Sequence, residues 1–88
     1  MYAVVFQVDM KPGREGDADA ELDQLVGMVK SAPGFVRATW ADDGKQAVSF
    51  QVYDSEEAAR AVADNAFVPP DASVTLRSVA VYKVARDV

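Results

Sequence analysis

Residues 35–58 read FVRATWADDGKQAVSFQVYDSEEA, and the order of signals within this stretch decides the fold. Two alternating runs, Phe35 to Ala41 and Gln46 to Tyr53, flank Asp42-Asp43-Gly44-Lys45. An Asp-Gly pair between such runs signals a hairpin, because a type I′ turn takes positive φ at its central residues. In the second run Val48, Phe50 and Val52 share one face, and Ser49, Gln51 and Tyr53 share the other. The period then changes. Asp54-Ser55-Glu56-Glu57 reads as a helix start, with Asp54 as N-cap and Glu57 three residues on, as in a capping box. Ala58, Ala61, Val62 and Ala66 carry that helix forward, and Pro69-Pro70 closes its neighbourhood.

Upstream, Tyr2, Val4, Phe6, Val8 and Met10 form one fully apolar face of a strand, and Ala3, Val5, Gln7 and Asp9 form a mixed one. Lys11-Pro12-Gly13-Arg14 breaks it. From about Asp17 to Ser31 the spacing is helical, with Ala18, Leu22, Leu25, Val26 and Val29 on one stripe and Pro33-Gly34 as the stop. Acidic residues at the start of this helix and Lys30 near its end match the helix dipole. Downstream, Ser73 to Val84 reads as a strand with apolar residues on both faces. The order is β-α-β-β-α-β, an α+β, ferredoxin-like arrangement: a four-stranded antiparallel sheet with two helices on one face. Residues 1–88 make a single domain, with no repeat, linker or low-complexity stretch.

Two helices cover only one face of such a sheet. The other carries Val5 beside Gln7, and Val79 and Val81 beside Arg77, which is too apolar for a water-facing surface. A homodimer formed by sheet-to-sheet packing is the economical solution, so 88 residues read as half of the working unit. A domain this small buries only about 60–65% of its unfolded surface on its own.

Composition removes whole classes of chemistry. With no Cys there is no disulfide framework, zinc-thiolate site, Fe–S cluster or thiol nucleophile. With no His there is no Ser-His-Asp triad, imidazole base or imidazole metal ligand, and no carboxylate spacing suggests a metal site. Nine basic against fourteen acidic side chains give a net charge of −5, which repels nucleic-acid backbones and anionic membrane surfaces. No apolar run approaches the ~20 residues that span a bilayer. The first residues lack a basic region and enter a strand at once, so neither a signal peptide nor a membrane segment is expected, and the expected location is cytoplasmic. Among domains of this topology, an RNA-recognition motif would need Lys or Arg and a Gly-Phe signature in the third strand, which here is QAVSFQVY. A copper chaperone would need cysteines in the first loop, and an acylphosphatase a Gly-rich anion cradle around Arg14.

Three features together resemble the antibiotic-biosynthesis-monooxygenase-like family of dimeric α+β-barrel proteins. They are the Lys-Pro-Gly-Arg-Glu turn after the first strand, Ala32-Pro33-Gly34-Phe35, and a third strand ending in an aromatic before Asp54-Ser55-Glu56-Glu57-Ala58. The resemblance runs from Tyr2 to Val84 and implies a pocket between helices and sheet. In this family such a pocket is sometimes used for oxygenation without metal or flavin. A deprotonated, electron-rich aromatic can itself reduce O₂ if the protein supplies a dry cavity, an orientation and donors for the developing oxyanion. The heme-degrading branch carries an Asn on the first strand and a His after the second helix. This chain has Phe6 or Gln7 at the first place and no His for the second, which speaks against heme degradation.

The candidate catalytic residues are Trp40, Tyr53 and Arg37, with Gln7, Asn65, Arg77 and Tyr82 as candidate substrate-binding residues. The Trp40 indole N–H and the Tyr53 phenol can donate to a substrate oxygen, and Arg37 or Arg77 can hold a carboxylate or phenolate. Structural roles compete: core or interface aromatics for Trp40, Tyr53 and Tyr82, carboxylate pairing across a dimer for the arginines, an interface amide for Gln7 and a helix C-cap for Asn65. The expected function is a cofactor-independent, monooxygenase-like protein that takes a small hydrophobic, aromatic or polyketide-type molecule. The alternative is a non-catalytic dimeric module for ligand binding or stress response.

Overall fold

The structure, a computed structural model, describes residues 1–88. Strand β1 (Tyr2–Met10) leads to helix α1 (Glu15–Lys30), the hairpin of β2 (Phe35–Asp42) and β3 (Gln46–Tyr53), helix α2 (Glu56–Asp64) and strand β4 (Val74–Lys83). All pairings are antiparallel and the strand order is β2-β3-β1-β4, the expected ferredoxin-like arrangement. No helix is long and apolar enough to cross a membrane.

The register assigns every side chain to a face. Tyr2, Val4, Phe6 and Val8 lie opposite Tyr53, Gln51, Ser49 and Ala47 on β3, and Phe35, Ala38 and Trp40 extend these rows onto β2. This face meets the helices. Val4, Tyr53 and Ala59 are fully buried at its centre, with Phe6, Phe35, Val62, Val79 and Val81 packed around them. The small side chains Ala58 and Ala59 let α2 lie close against β1, β3 and β4, whereas α1 approaches the sheet closely mainly at β2. One half of the helix-facing surface is thus a packed core and the other half is roofed at a distance. Only nine of the 88 residues are buried, so much apolar surface remains under α1 and on the opposite sheet face.

Several local expectations are corrected. Val79 and Val81 face the helices and not the free face. A register shift leaves Gln7 opposite Ser78 and Val8 opposite Leu76, so Arg77 is an extra, bulged residue. The bulge puts Val74 and Leu76 on the same face as Val79 and Val81, which is why β4 reads as apolar on both sides. A second shift, between Phe35 and Arg37, makes Val36 the extra residue in β2. The hairpin is not type I′, because no residue other than glycine has positive φ. Asp43 instead folds its carboxylate back onto the backbone N–H groups of Lys45 and Gln46 (2.9 and 2.8 Å), leaving Gly44 alone at φ +89°. These two hydrogen bonds hold the Asp43 carboxyl below its ordinary pKa.

The N-cap of α2 is Ser55, whose hydroxyl accepts from the Ala58 N–H at 3.1 Å, and not Asp54. The Asp54 N–H is held by the Gly34 carbonyl at 2.8 Å. The same helix stops at Asp64, before Ala66, where Asn65 forms the C-cap. Helix α1 begins at Glu15, ahead of Asp17, because its first acids suit the dipole without a side-chain cap.

On the free face, Phe50 lies beside Val5, flanked by Thr39 and Ala80, and Val48 lies beside Gln7. Phe50 and Val48 are each 41% exposed. One end of this face is covered: Ala3 and Val52, paired neighbours on it, are only 1% and 0% exposed. The chain beyond β4 accounts for this. Its Asp87 pairs with Arg37 on β2, the opposite edge of the sheet, so residues 84–88 must cross β1 and β3.

Candidate functional site

The gap between α1 and the sheet is a cavity of about 670 Å³. Its roof is the apolar stripe of α1 (Ala18, Leu22, Leu25, Met28 and Val29), and its floor is Phe6 and Val8 of β1 with Trp40, Ser49, Gln51 and Tyr53 of the hairpin. Val26, expected on the stripe, does not line it. The chain after α2 supplies the rim, including Asn65 and Phe67, a residue 77% exposed. That rim is tied to the start of α1. Lys11 donates to the Pro70 carbonyl (2.7 Å), and Arg14 to the Asp71 and Ala72 carbonyls (2.7 and 3.2 Å). The Glu21 carboxylate accepts from the Ser73 N–H at 3.0 Å. The Lys-Pro-Gly-Arg turn is therefore a clamp on the cavity's wall.

The floor carries a line of polar groups. The Tyr53 hydroxyl donates to Gln51 Oε1 at 2.8 Å, and Gln51 Nε2 donates to Ser49 Oγ at 3.2 Å. All three side chains are buried, and Phe35 meets the Tyr53 ring edge-on at 6.1 Å. Since Ser49 Oγ accepts from Gln51, its own O–H remains free to donate. Trp40 sits opposite Ser49 in the β2–β3 register, and its Nε1 is buried without any hydrogen-bond partner. An unmade buried hydrogen bond costs roughly 1–3 kcal/mol, so such groups in native proteins call for an explanation. Burial pushes the Tyr53 phenol above its ordinary pKa, so near neutrality it is a donor and not a base.

The charged lining is of one sign. Glu15, Asp19, Glu21 and Asp42 line the cavity, and no Lys or Arg does. Three of the four are exposed, which places them at the rim rather than on the floor.

Of the seven sequence candidates, Trp40, Tyr53 and Asn65 come together at this cavity. The Asn65 amide is turned onto the Ala61 carbonyl at 2.7 Å, in keeping with its capping position. The other four belong to the free face. Gln7 and Arg77 line a shallow groove of about 280 Å³, where Arg77 pairs with Asp9 at 3.4 Å. Arg37 pairs with Asp87, and Tyr82 is 58% exposed. Sequence reasoning missed Ser49, Gln51 and Phe67. The first two had a signal: they share a strand face with Tyr53, the face register sets against the apolar side of β1. Phe67 had none, since it lies outside every periodic segment.

No curated protein matches the chain's sequence. Among solved structures, it is similar over its whole length to the heme-degrader MhuD of Mycobacterium tuberculosis with two hemes bound in its active site. That match has a TM-score of 0.76, 18% identity, and covers 99% of the MhuD chain. A MhuD mutant with two manganese protoporphyrin IX molecules per active site matches at TM-score 0.76 and 16% identity, again over 100% of this chain and 98% of that one. Heme-free MhuD matches at 0.65 and 22% identity, covering 100% of this chain and 96% of that one. At these identities the likeness is one of fold. Sequence is more specific: the profile described as antibiotic biosynthesis monooxygenase matches residues 1–66. The chain belongs to the antibiotic biosynthesis monooxygenase family.

Proposed function

We propose that this protein is a cofactor-independent, monooxygenase-like protein that binds a small aromatic or polyketide-type molecule in the cavity beneath α1. The observation that carries this reading is the partnerless Trp40 Nε1 beside the Ser49–Gln51–Tyr53 line, on the floor of a largely apolar chamber. A flat apolar molecule fills such a space, and an oxygen on it recovers the missing hydrogen bond. In the oxygenase version, Trp40 N–H and Ser49 O–H hold that oxygen as its proton leaves to solvent and negative charge develops on it; the resulting anion then gives an electron to O₂, which takes up the charge. Tyr53 supports the line through Gln51 and Asn65 stands at the rim. Arg37, Gln7, Arg77 and Tyr82 lie on the free face, across the sheet from the cavity, and do not line it.

Oxygen uptake with hydroquinone-type compounds tests the oxygenase version. Trp40→Phe is expected to lower turnover at least tenfold with an unchanged unfolding midpoint. A protein that neither binds these compounds nor consumes oxygen with them overturns it. One observation favours the second reading, a non-catalytic ligand-binding or stress-associated module: the Tyr53 hydroxyl is already engaged by Gln51. Saturable binding without oxygen uptake selects that reading.

Heme, the MhuD ligand, is not part of this reading. The chain has no His or Cys to coordinate a heme iron as imidazole or thiolate, and the cavity has no cation to meet propionates. The same proposal includes a homodimer through the free sheet face, supported by the half-exposed Phe50 and Val48 there.

A further inference from the structure

We infer that the cavity selects an uncharged or cationic aromatic bearing a neutral hydrogen-bond acceptor, such as a ketone, and rejects carboxylates. This rests on the reading of the cavity as a binding site and adds the class of molecule that fits it. Floor and rim differ in what they offer. On the floor, Ser49 O–H and Trp40 Nε1–H are neutral donors. They suit a carbonyl or ether oxygen, which brings its lone pairs at a small desolvation cost. A carboxylate buried there meets no Lys or Arg, because none lines the cavity. At the rim, Glu15, Asp19 and Asp42, with the half-buried Glu21 behind them, repel an anion on its way in and attract an amine. Lys11 and Arg14, the nearest basic residues in sequence, are spent on the carbonyls of Pro70, Asp71 and Ala72.

Two of these acids can be neutralised without breaking a hydrogen bond or an ion pair. Glu21 holds the Ser73 N–H and Asp42 the Gly44 N–H, but Glu15 and Asp19 make no hydrogen bond or ion pair. The test uses the intact protein and four probes on one ring system: 2-acetylnaphthalene, naphthalene, 1-naphthylmethylammonium and 2-naphthoate, with hemin as a dicarboxylate of the kind the fold neighbours bind. Binding is read by equilibrium dialysis, and the single indole N–H resonance of Trp40 reports on the floor.

The ketone and the ammonium are expected to bind, and the naphthoate at least fivefold more weakly at low salt. That gap narrows at high ionic strength. The ketone moves the indole resonance and naphthalene leaves it nearly in place. The double variant Glu15→Gln, Asp19→Asn is expected to bring naphthoate at least twofold closer to the ketone, and hemin to show no saturable binding. Naphthoate or hemin binding as tightly as the ketone overturns the charge selection. An indole resonance that does not distinguish ketone from naphthalene overturns the acceptor selection. In either case the cavity stands as a ligand site. If no probe binds, the ligand-site reading itself fails and this inference with it.

Discussion

At the scale of single residues, Tyr53 shows how one side chain can serve core and site together. Its ring is fully buried against Phe35, and its hydroxyl is the first donor in the line that ends at Ser49. Tyr53→Phe keeps the ring and leaves Gln51 Oε1 unpaired, so a loss of about 1–3 kcal/mol is expected in urea unfolding. The pH dependence follows from burial. The folded-state pKa lies above the ordinary value of 10.0, so the unfolded chain loses this proton first as pH rises. Stability from this group is complete below the unfolded pKa and falls as pH climbs from there through the folded one. Wild type is expected to lose stability above about pH 10 more steeply than Tyr53→Phe; identical slopes in alkaline denaturant titrations refute it. The residue types at the site were legible in the sequence: Trp40 and Tyr53 stand out as aromatics at strand positions. Their geometry was not, since whether the buried Trp40 Nε1 finds a partner depends on which groups the neighbouring elements bring to it.

At the scale of elements, β1 and β3 match the sequence reading residue for residue, because their alternation is unbroken and Pro, Gly or Asp bounds them. Strand β4 does not read cleanly. Its alternation slips at Arg77, and a bulge is invisible to a period of two until the partner strand fixes the register. The start of α2 misleads for a related reason. Asp54 and Ser55 are both good capping residues, and what decides between them is the long-range bond from the Asp54 N–H to the Gly34 carbonyl. Gly34 is thus the joint where the α1–β2 turn meets the start of α2. Its φ is +79°, and a Cβ there would lie 2.5 Å from Asp54 Oδ1 and 2.9 Å from Ala58 Cβ. Gly44 has φ +89° but open space around it. Gly44→Ala should therefore cost only the left-handed backbone penalty of about 1–2 kcal/mol. Gly34→Ala should cost that plus the displacement of α2, about 3 kcal/mol or more in all. Equal losses for the two variants in thermal or urea unfolding contradict the joint.

At the scale of the whole molecule, the two faces of the sheet pose different problems to one small chain. The helix face is solved within the protomer, by α2 packing tightly and α1 roofing a cavity. The free face is solved only in part. Residues 84–88 cover the end at Ala3 and Val52, and their Arg37–Asp87 pair, exposed to solvent, adds little beyond holding them in place. The row Thr39, Phe50, Val5, Ala80 is left outside this cover. Pairing that row with its copy removes the exposed part of Phe50 from water, a gain of about 1–2 kcal/mol per protomer from this one side chain. A charge there cannot be buried at such a contact without a partner. Sedimentation velocity at micromolar concentration should therefore find the wild type dimeric. Phe50→Asp should be monomeric with an unchanged far-UV spectrum, because its side chain lies on the face away from the core. Phe50→Leu, which keeps an apolar surface, should remain dimeric. A wild type that sediments as a monomer at these concentrations removes the dimer. The cavity, built wholly from one chain, survives that outcome.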